Sequence, residues 1–424
     1  MKARNFSGNA FSVSRPCSQK RRDESLLKLP SNLILENCHA VDVANSTVEE
    51  NVEISVEEGR ISGIAKVHDS GGARLDLEGS FVLPGLFNMH NNLSLVFPFK
   101  NTDLSESSAI TALRCFRRAS DALEAGVTTL RTVGEQNRAD IYLRKMINDG
   151  WVRGPRLFVA GKGLSAVGGH GSDFGQHELS GAEEFRKAAR HELSLGADHL
   201  KIFITGGIAK REEEFEDSQM TRSEMEAVAS VARSRGKYVC AHAGGSAPIM
   251  VAVEAGVKCF EHGYVLSREA ARAIKESGGY LDPTLSVTRS PEWMREHGFE
   301  QWTIEKAVSA GETHLQSIKN AISEGVKILN GTDMPAGDLN RGVNATVREL
   351  EFLVDSGLSA IGALRAATVN AAELCGVRDK LGQVKENYLA DLIAVPSNPI
   401  SDIKALEKIM FVMKGGEVIR NEFE

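Results

Sequence analysis

Between residues 82 and 333 the chain repeats one alternation eight times: a short apolar run of strand character, then a stretch with helical periodicity. The runs are Val82–His90, Val127–Val133, Arg156–Gly161, His199–Thr205, Tyr238–His242, Lys258–His262, Tyr280–Leu285 and Lys327–Asp333. Amphipathic segments such as Ser223–Arg235 and Ile304–Glu324 lie between them. Eight such units predict an α/β fold, a (β/α)8 TIM barrel rather than an open doubly wound sheet. No glycine-rich dinucleotide or phosphate loop opens any of the helices, so a nucleotide-cofactor reading lacks its signature.

The two ends of the chain have a different texture. Asn32–Asp42 alternates like a half-buried strand, and Val52–Ile64 reads as a hairpin turning at Glu58-Gly59-Arg60. Leu389–Pro396 and Ile409–Ile419 add short strands, with Gly415-Gly416 as a tight turn. The expected arrangement is a small β-sandwich built from both termini. It assigns 1–30 to an unassigned or disordered extension, 31–83 and 381–424 to the sandwich, and 84–380 to the barrel. Residues 1–22 carry six basic and no acidic side chains and lack an apolar core; they are expected to be a disordered or misassigned start, or else a transit peptide, rather than a secretory signal.

Composition narrows the function classes. A net charge of -7 gives no electrostatic grip on nucleic acid, and no apolar run reaches the ~20 residues of a membrane span. The six cysteines are scattered, with no CxxC pair, and read as reduced thiols of a cytoplasmic protein. Cys240 and Cys259 are expected to be buried structural thiols.

In a barrel of this type the chemistry lies at the C-terminal ends of the strands. The first run ends Asn88-Met-His90-Asn-Asn92, and the fourth contains Lys201. The fifth ends in His242, the sixth in Glu261-His262-Gly263, and the eighth in Gly331-Thr-Asp333. Three histidines and an aspartate at matched strand ends point to a divalent metal site for Zn²⁺, Mn²⁺ or Co²⁺. A histidine satisfied within a barrel core is the ordinary alternative for each one alone; it does not explain the matched positions. Asp333 could instead cap a helix before Met334-Pro335. Glu261, by strand alternation, is expected to point away from the barrel interior and to be structural.

Several motifs occur together and in order: Leu83-Pro-Gly-Leu-Phe-Asn-Met-His90, Ala125-Gly-Val-Thr-Thr-Leu-Arg131, Gly168-Gly-His-Gly171 and Gly196-Ala-Asp-His-Leu-Lys201. Ala241-His-Ala, Glu261-His-Gly, Gly331-Thr-Asp333 and Ala366-Ala-Thr-Val-Asn-Ala-Ala-Glu-Leu-Cys-Gly376 follow. From Asn32 to the C-terminus the chain thereby resembles the amidohydrolase superfamily, in the branch of imidazolonepropionases and Xaa-Pro or Xaa-Arg dipeptidases. The resemblance implies one or two divalent metals per chain, Zn before Mn, Co or Fe. His90 and Asp333 would bind the first metal, His242 and His262 the second, and a carboxylated Lys201 would bridge them. Asp333 would also shuttle the proton. The resemblance further implies a small-molecule substrate and association into homo-oligomers.

Three positions depart from the family pattern. The second histidine of the first motif is replaced by Asn92, either a weaker oxygen ligand or a hydrogen-bonding group. This variant resembles phenylurea hydrolase and molinate hydrolase, which places ureas and thiocarbamates beside amides and carbamates as substrates. Arg131-Thr132 stands where relatives carry Arg-Asp, and Gly244 where dipeptidases carry a bulky Tyr or His; the glycine is expected to open the pocket. His170 is read as a substrate-orienting or oxyanion-stabilising group, against a loop histidine bonded to its own backbone. The loop from Lys210 to Asp217 is a lid or a solvated acidic loop. Residues 288–304, with Trp293, Phe299 and Trp302, form a pocket wall or a helix packed on the barrel. The alternatives to a C–N hydrolase of this kind are a dipeptidase or N-acyl amino acid hydrolase, and a decayed barrel serving as a scaffold.

Overall fold

The computed structural model describes residues 32–66 and 72–423. The N-terminal extension expected at 1–30 lies outside the described residues.

Each of the eight runs forms a strand. They are Leu86–Asn91, Val127–Thr132, Arg156–Phe158, Leu200–Phe203, Val239–Gly245, Cys259–Val265, Tyr280–Asp282 and Lys327–Ile328. The first three pair in parallel, and the fourth to eighth do likewise. Backbone bonds join the two groups into a barrel: Met89 N donates to Asn330 O at 2.9 Å and Asp333 N to His90 O at 3.0 Å on one side, and Asp198 N to Val159 O at 2.7 Å on the other. A further short strand, Leu164–Ala166, pairs beside the fourth barrel strand and with His177–Leu179.

A helix follows every barrel strand, from Ser108–Glu124 after the first to Ala345–Asp355 after the eighth. The helix expected from Ser223 spans Arg222–Ser234. Thr221 and Glu224 close a reciprocal cap at its N-terminus, satisfying two otherwise orphan N–H groups. The helix expected from Ile304 begins three residues earlier and spans Gln301–Glu324. Between strands and helices lies a buried layer of apolar side chains, among them Leu164, Leu200, Ile202, Val239, Phe260, Leu281 and Leu353. At ~25 cal/mol per Å² of apolar surface, their removal from water is the main force holding helices on the barrel.

The terminal strands form one continuous seven-stranded sheet. The C-terminal strands Glu417–Asn421, Phe411–Lys414 and Leu392–Val395 pair onto Ala73–Pro84, which pairs in turn with Asn32–Asp42, Thr47–Glu57 and Arg60–Ala65. Leu35, Ile54, Ile61, Leu77, Leu392 and Phe411 form its own buried cluster. The run read as Val82–His90 is therefore two strands. The chain leaves the terminal sheet at Pro84 and enters the barrel at Leu86.

Candidate active site

All seven residues singled out from the sequence line one pocket: His90, Asn92, His170, Lys201, His242, His262 and Asp333. Its empty volume, open mouth included, is about 1000 Å³. The ligand atoms of His90, His262 and Asp333 lie within 4.8 Å of one another. Asp333 lies beyond the eighth strand on a left-handed turn, φ 52°, with its N–H bonded to His90 O at 3.0 Å. That conformation suits Asp better than most residues. No helix starts there, so the capping alternative for Asp333 fails.

The imidazoles are arranged around this point. The His242 and His262 ring centroids are 4.5 Å apart, and those of His90 and His262 5.0 Å. Burial holds His242 and His262 far below the ordinary histidine range, so both are neutral with a lone pair to offer. His90 departs the other way. Its burial is outweighed by the Asp333 carboxylate, whose Oδ1 lies 3.4 Å from Nε2. His262 Nδ1 is fixed by Thr284 Oγ1 at 2.6 Å, and His242 Nε2 lies 3.1 Å from Gly206 O. Lys201 is 1% exposed, and its Nζ has no hydrogen-bond partner among the described residues. Asn92 turns its amide nitrogen to Asp333 Oδ1 at 2.7 Å. Asn88 donates to Thr332 and Thr346 Oγ1, both at 3.0 Å, which an ionised aspartate could not do.

Below the histidines lies a charge network that the sequence reading missed. Arg131, fully buried, donates to both Glu261 oxygens at 2.9 and 2.8 Å and to Asp282 Oδ2 at 3.2 Å. Glu261 Oε2 also holds His90 Nδ1 at 2.7 Å. Glu261 is structural as expected, but it points inward, not outward. The alternation fails because His262 and Gly263 both adopt positive φ, 72° and 71°, so consecutive side chains face the interior. Burial favours a protonated Glu261, and Arg131 outweighs it, keeping the carboxyl well below its usual range. Burial and the charge of Glu261 push Asp282 up to about 7. Thr132, next to Arg131, donates to Asp140 Oδ2 at 2.8 Å. Cys240 and Cys259 are buried free thiols near this network.

The loops over the strand ends complete the pocket. His170 Nδ1 pairs with Glu213 Oε2 at 2.6 Å, so it is not a histidine bonded to its own backbone. Its ring stacks on His242 with centroids 4.1 Å apart. Gly207 passes so close that a Cβ there would lie 2.5 Å from His170 Cε1. The 210–217 loop is tied down by Lys306 Nζ, which donates to Lys210 O at 2.6 Å and Glu213 O at 2.5 Å. Gly244 does not open the pocket. A Cβ there would meet Phe215 O at 2.5 Å, because this loop already fills the space. Phe97, Phe99, Phe174, Trp293 and Phe299 form one aromatic wall, with centroids 5.2–5.8 Å apart between touching pairs. Within 288–304 the two alternatives thus coincide: the short helix Pro291–Glu296 presents Trp293 to the pocket and the connection after it presents Phe299, while Trp302, on the next helix, does not line it. Buried Glu135 and Glu349 anchor the loops after the first and seventh strands, each accepting two successive backbone N–H groups at 2.6–2.7 Å. Among the described residues that line the pocket there is no arginine, and Lys201 is the one lysine.

Comparison with known proteins agrees with this geometry. The model of the amidohydrolase family matches residues 81–420. An ochratoxinase of Aspergillus niger is 29% identical over 371 residues, covering 80% of this chain and 75% of that protein. Its crystal structure superposes with a TM-score of 0.80 at 25% identity, covering 92% of this chain and 96% of that one. A Xaa-Pro dipeptidase with methionine bound in its active site is 31% identical, with a TM-score of 0.84 over 92% of this chain and 100% of its own. Phenylurea hydrolase B shares the fold alone: TM-score 0.76, 22% identity, 92% and 97% coverage. With the family model spanning the barrel and the strand-end residues gathered in one pocket, the chain belongs to the amidohydrolase family and is a hydrolase of carbon–nitrogen bonds.

Proposed function

We propose that the chain is a metal-dependent hydrolase of uncharged aromatic small molecules, cleaving an amide, urea, carbamate or thiocarbamate C–N bond. The observation that carries this is the convergence of His90, Lys201, His242, His262 and Asp333 from five separate strand ends on one aromatic-walled pocket. The donor set fits a divalent cation. It offers neutral imidazoles, a carboxylate, and a buried amine without a hydrogen-bond partner among the described residues, which is costly as an ordinary ammonium group. His90, His242, His262 and Asp333 would hold the metal, with Asn92 as a weak oxygen donor and Lys201 serving once CO2 has converted its amine to a carbamate. A bound divalent cation supplies Lewis acidity and makes hydroxide available near neutral pH.

The protein's own groups do the rest. Asp333 accepts the proton of the attacking water and delivers it to the leaving nitrogen. Asn92 keeps the carboxylate turned to that task. His170, fixed through Nδ1 by Glu213, leaves Nε2 to orient the substrate. The aromatic wall takes the apolar substituent, and desolvating a free α-carboxylate would find no arginine in compensation. A second reading, an N-acyl amino acid or dipeptide substrate, is supported by the likeness to the Xaa-Pro dipeptidase. No observation favours the scaffold alternative.

The test is release of amine from acetanilide, phenylurea, phenyl carbamates, hippurate and Xaa-Pro dipeptides, with added Zn²⁺, Mn²⁺ or Co²⁺. Neutral aryl compounds are expected to turn over, with activity lost to a chelator and restored by metal. Preference for the carboxylate-bearing compounds would favour the second reading. Metal-loaded protein inert to every class would overturn both.

A further inference from the structure

We infer that Tyr264 is a catalytic residue, donating a hydrogen bond from its hydroxyl to the substrate oxygen that gains negative charge as the C–N bond is attacked. This rests on the hydrolase reading above and assigns a role to a residue outside the strand-end set. Tyr264 lies just past His262 in the sixth barrel strand, 2% exposed, and lines the pocket. Its ring is held on three sides. It stacks parallel to His262 (3°, centroids 5.1 Å), lies 4.6 Å from Phe215 of the tied-down loop, and meets the edge of His314 at 5.0 Å. Its backbone carbonyl is held by Ser317 Oγ at 3.1 Å.

The hydroxyl of this fixed ring has no hydrogen-bond partner among the described residues. The neighbouring His314 cannot serve, because its two ring nitrogens are taken by Thr288 Oγ1 and His262 O. Nor is the hydroxyl sealed in the core, as that of Tyr238 is; it keeps open space, and the space beside Tyr264 is the pocket. A hydroxyl withdrawn from bulk water and left unpaired is destabilising. A partner arriving with the substrate removes that cost.

The arrangement also has a counterpart. His170 stacks on His242 as Tyr264 stacks on His262, so each of two proposed ligand rings is backed by a ring that carries a polar group. When water oxygen bonds to the carbonyl carbon, the C=O pair moves onto oxygen, and a preplaced O–H stabilises that charge without transferring its proton. The pair then returns as the C–N bond breaks and nitrogen takes the proton carried by Asp333. Donors of this type stabilise the transition state more than the ground state.

Tyr264→Phe keeps both ring contacts and removes only the hydroxyl. With zinc-loaded protein and acetanilide, kcat is expected to fall about 100-fold, with KM within about threefold and a melting temperature no lower than that of the wild type. Binding of N-phenyl methylphosphonamidate, a tetrahedral anionic analogue, should weaken by a similar factor. A merely structural tyrosine would instead lower the melting temperature and leave kcat and analogue binding alone. Wild type active and Tyr264→Phe unchanged in kcat and analogue binding would overturn this role alone. Wild type that neither hydrolyses acetanilide nor binds the phosphonamidate would remove the aryl-amide reading, and this role with it.

Discussion

Replacing Asp333 by asparagine is expected to lower kcat by about 10²–10⁴-fold while leaving the fold intact. Asparagine tolerates the left-handed backbone of this turn as well as aspartate does, so the φ of 52° is kept. Its side-chain oxygen can still accept the Asn92 amide that now lies 2.7 Å from Oδ1. What it lacks is a basic oxygen to take the proton from water and return it to nitrogen. Steady-state kinetics with a melting curve checks this. An Asp333→Asn variant with more than about a tenth of the wild-type kcat would exclude Asp333 as the proton carrier.

Arg131→Met is expected to cost about 3–5 kcal/mol of folding stability. Arg131 faces Glu261 and Asp282 with no solvent at any of the three, so its removal leaves two carboxyl groups buried without their cation. His90 then loses the charged acceptor that holds Nδ1 at 2.7 Å, and metal affinity should fall about 10–100-fold. Chemical denaturation with metal titration measures both. Adding Glu261→Gln should restore part of the stability, because one stranded charge is gone. An unchanged denaturation midpoint in Arg131→Met would contradict the network's role.

The barrel was legible because each strand is a short apolar run set between helical periodicities, and burial on both faces demands that pattern. The strand-end histidines, Lys201 and Asp333 were legible because polar groups that close a buried run have few reasons to be there other than chemistry. The orientation of Glu261 was not legible. It depends on the positive φ of His262, a non-glycine residue whose letter does not announce a break in alternation. Arg131 stood out only as the end of a motif and Asp282 looked like an ordinary strand residue; their pairing joins positions 151 residues apart. Gly244 was misread for a similar reason: the atom that fills its space belongs to Phe215, in a loop with no periodic signal. The aromatic wall draws Phe97, Phe99 and Phe174 from such loops as well, and nothing in their spacing brings them to Trp293.

Metal content per chain, by elemental analysis of protein purified without chelator, bears most directly on the site. One or two equivalents of a divalent metal are expected, falling when His90 or His262 is replaced by alanine. Two would mean that Asn92 still supports the first position and that Lys201 bridges; one would mean that the asparagine has cost a site. Protein that binds no zinc, manganese or cobalt even after incubation, yet hydrolyses its substrate undisturbed by chelator, would contradict the metal-dependent mechanism.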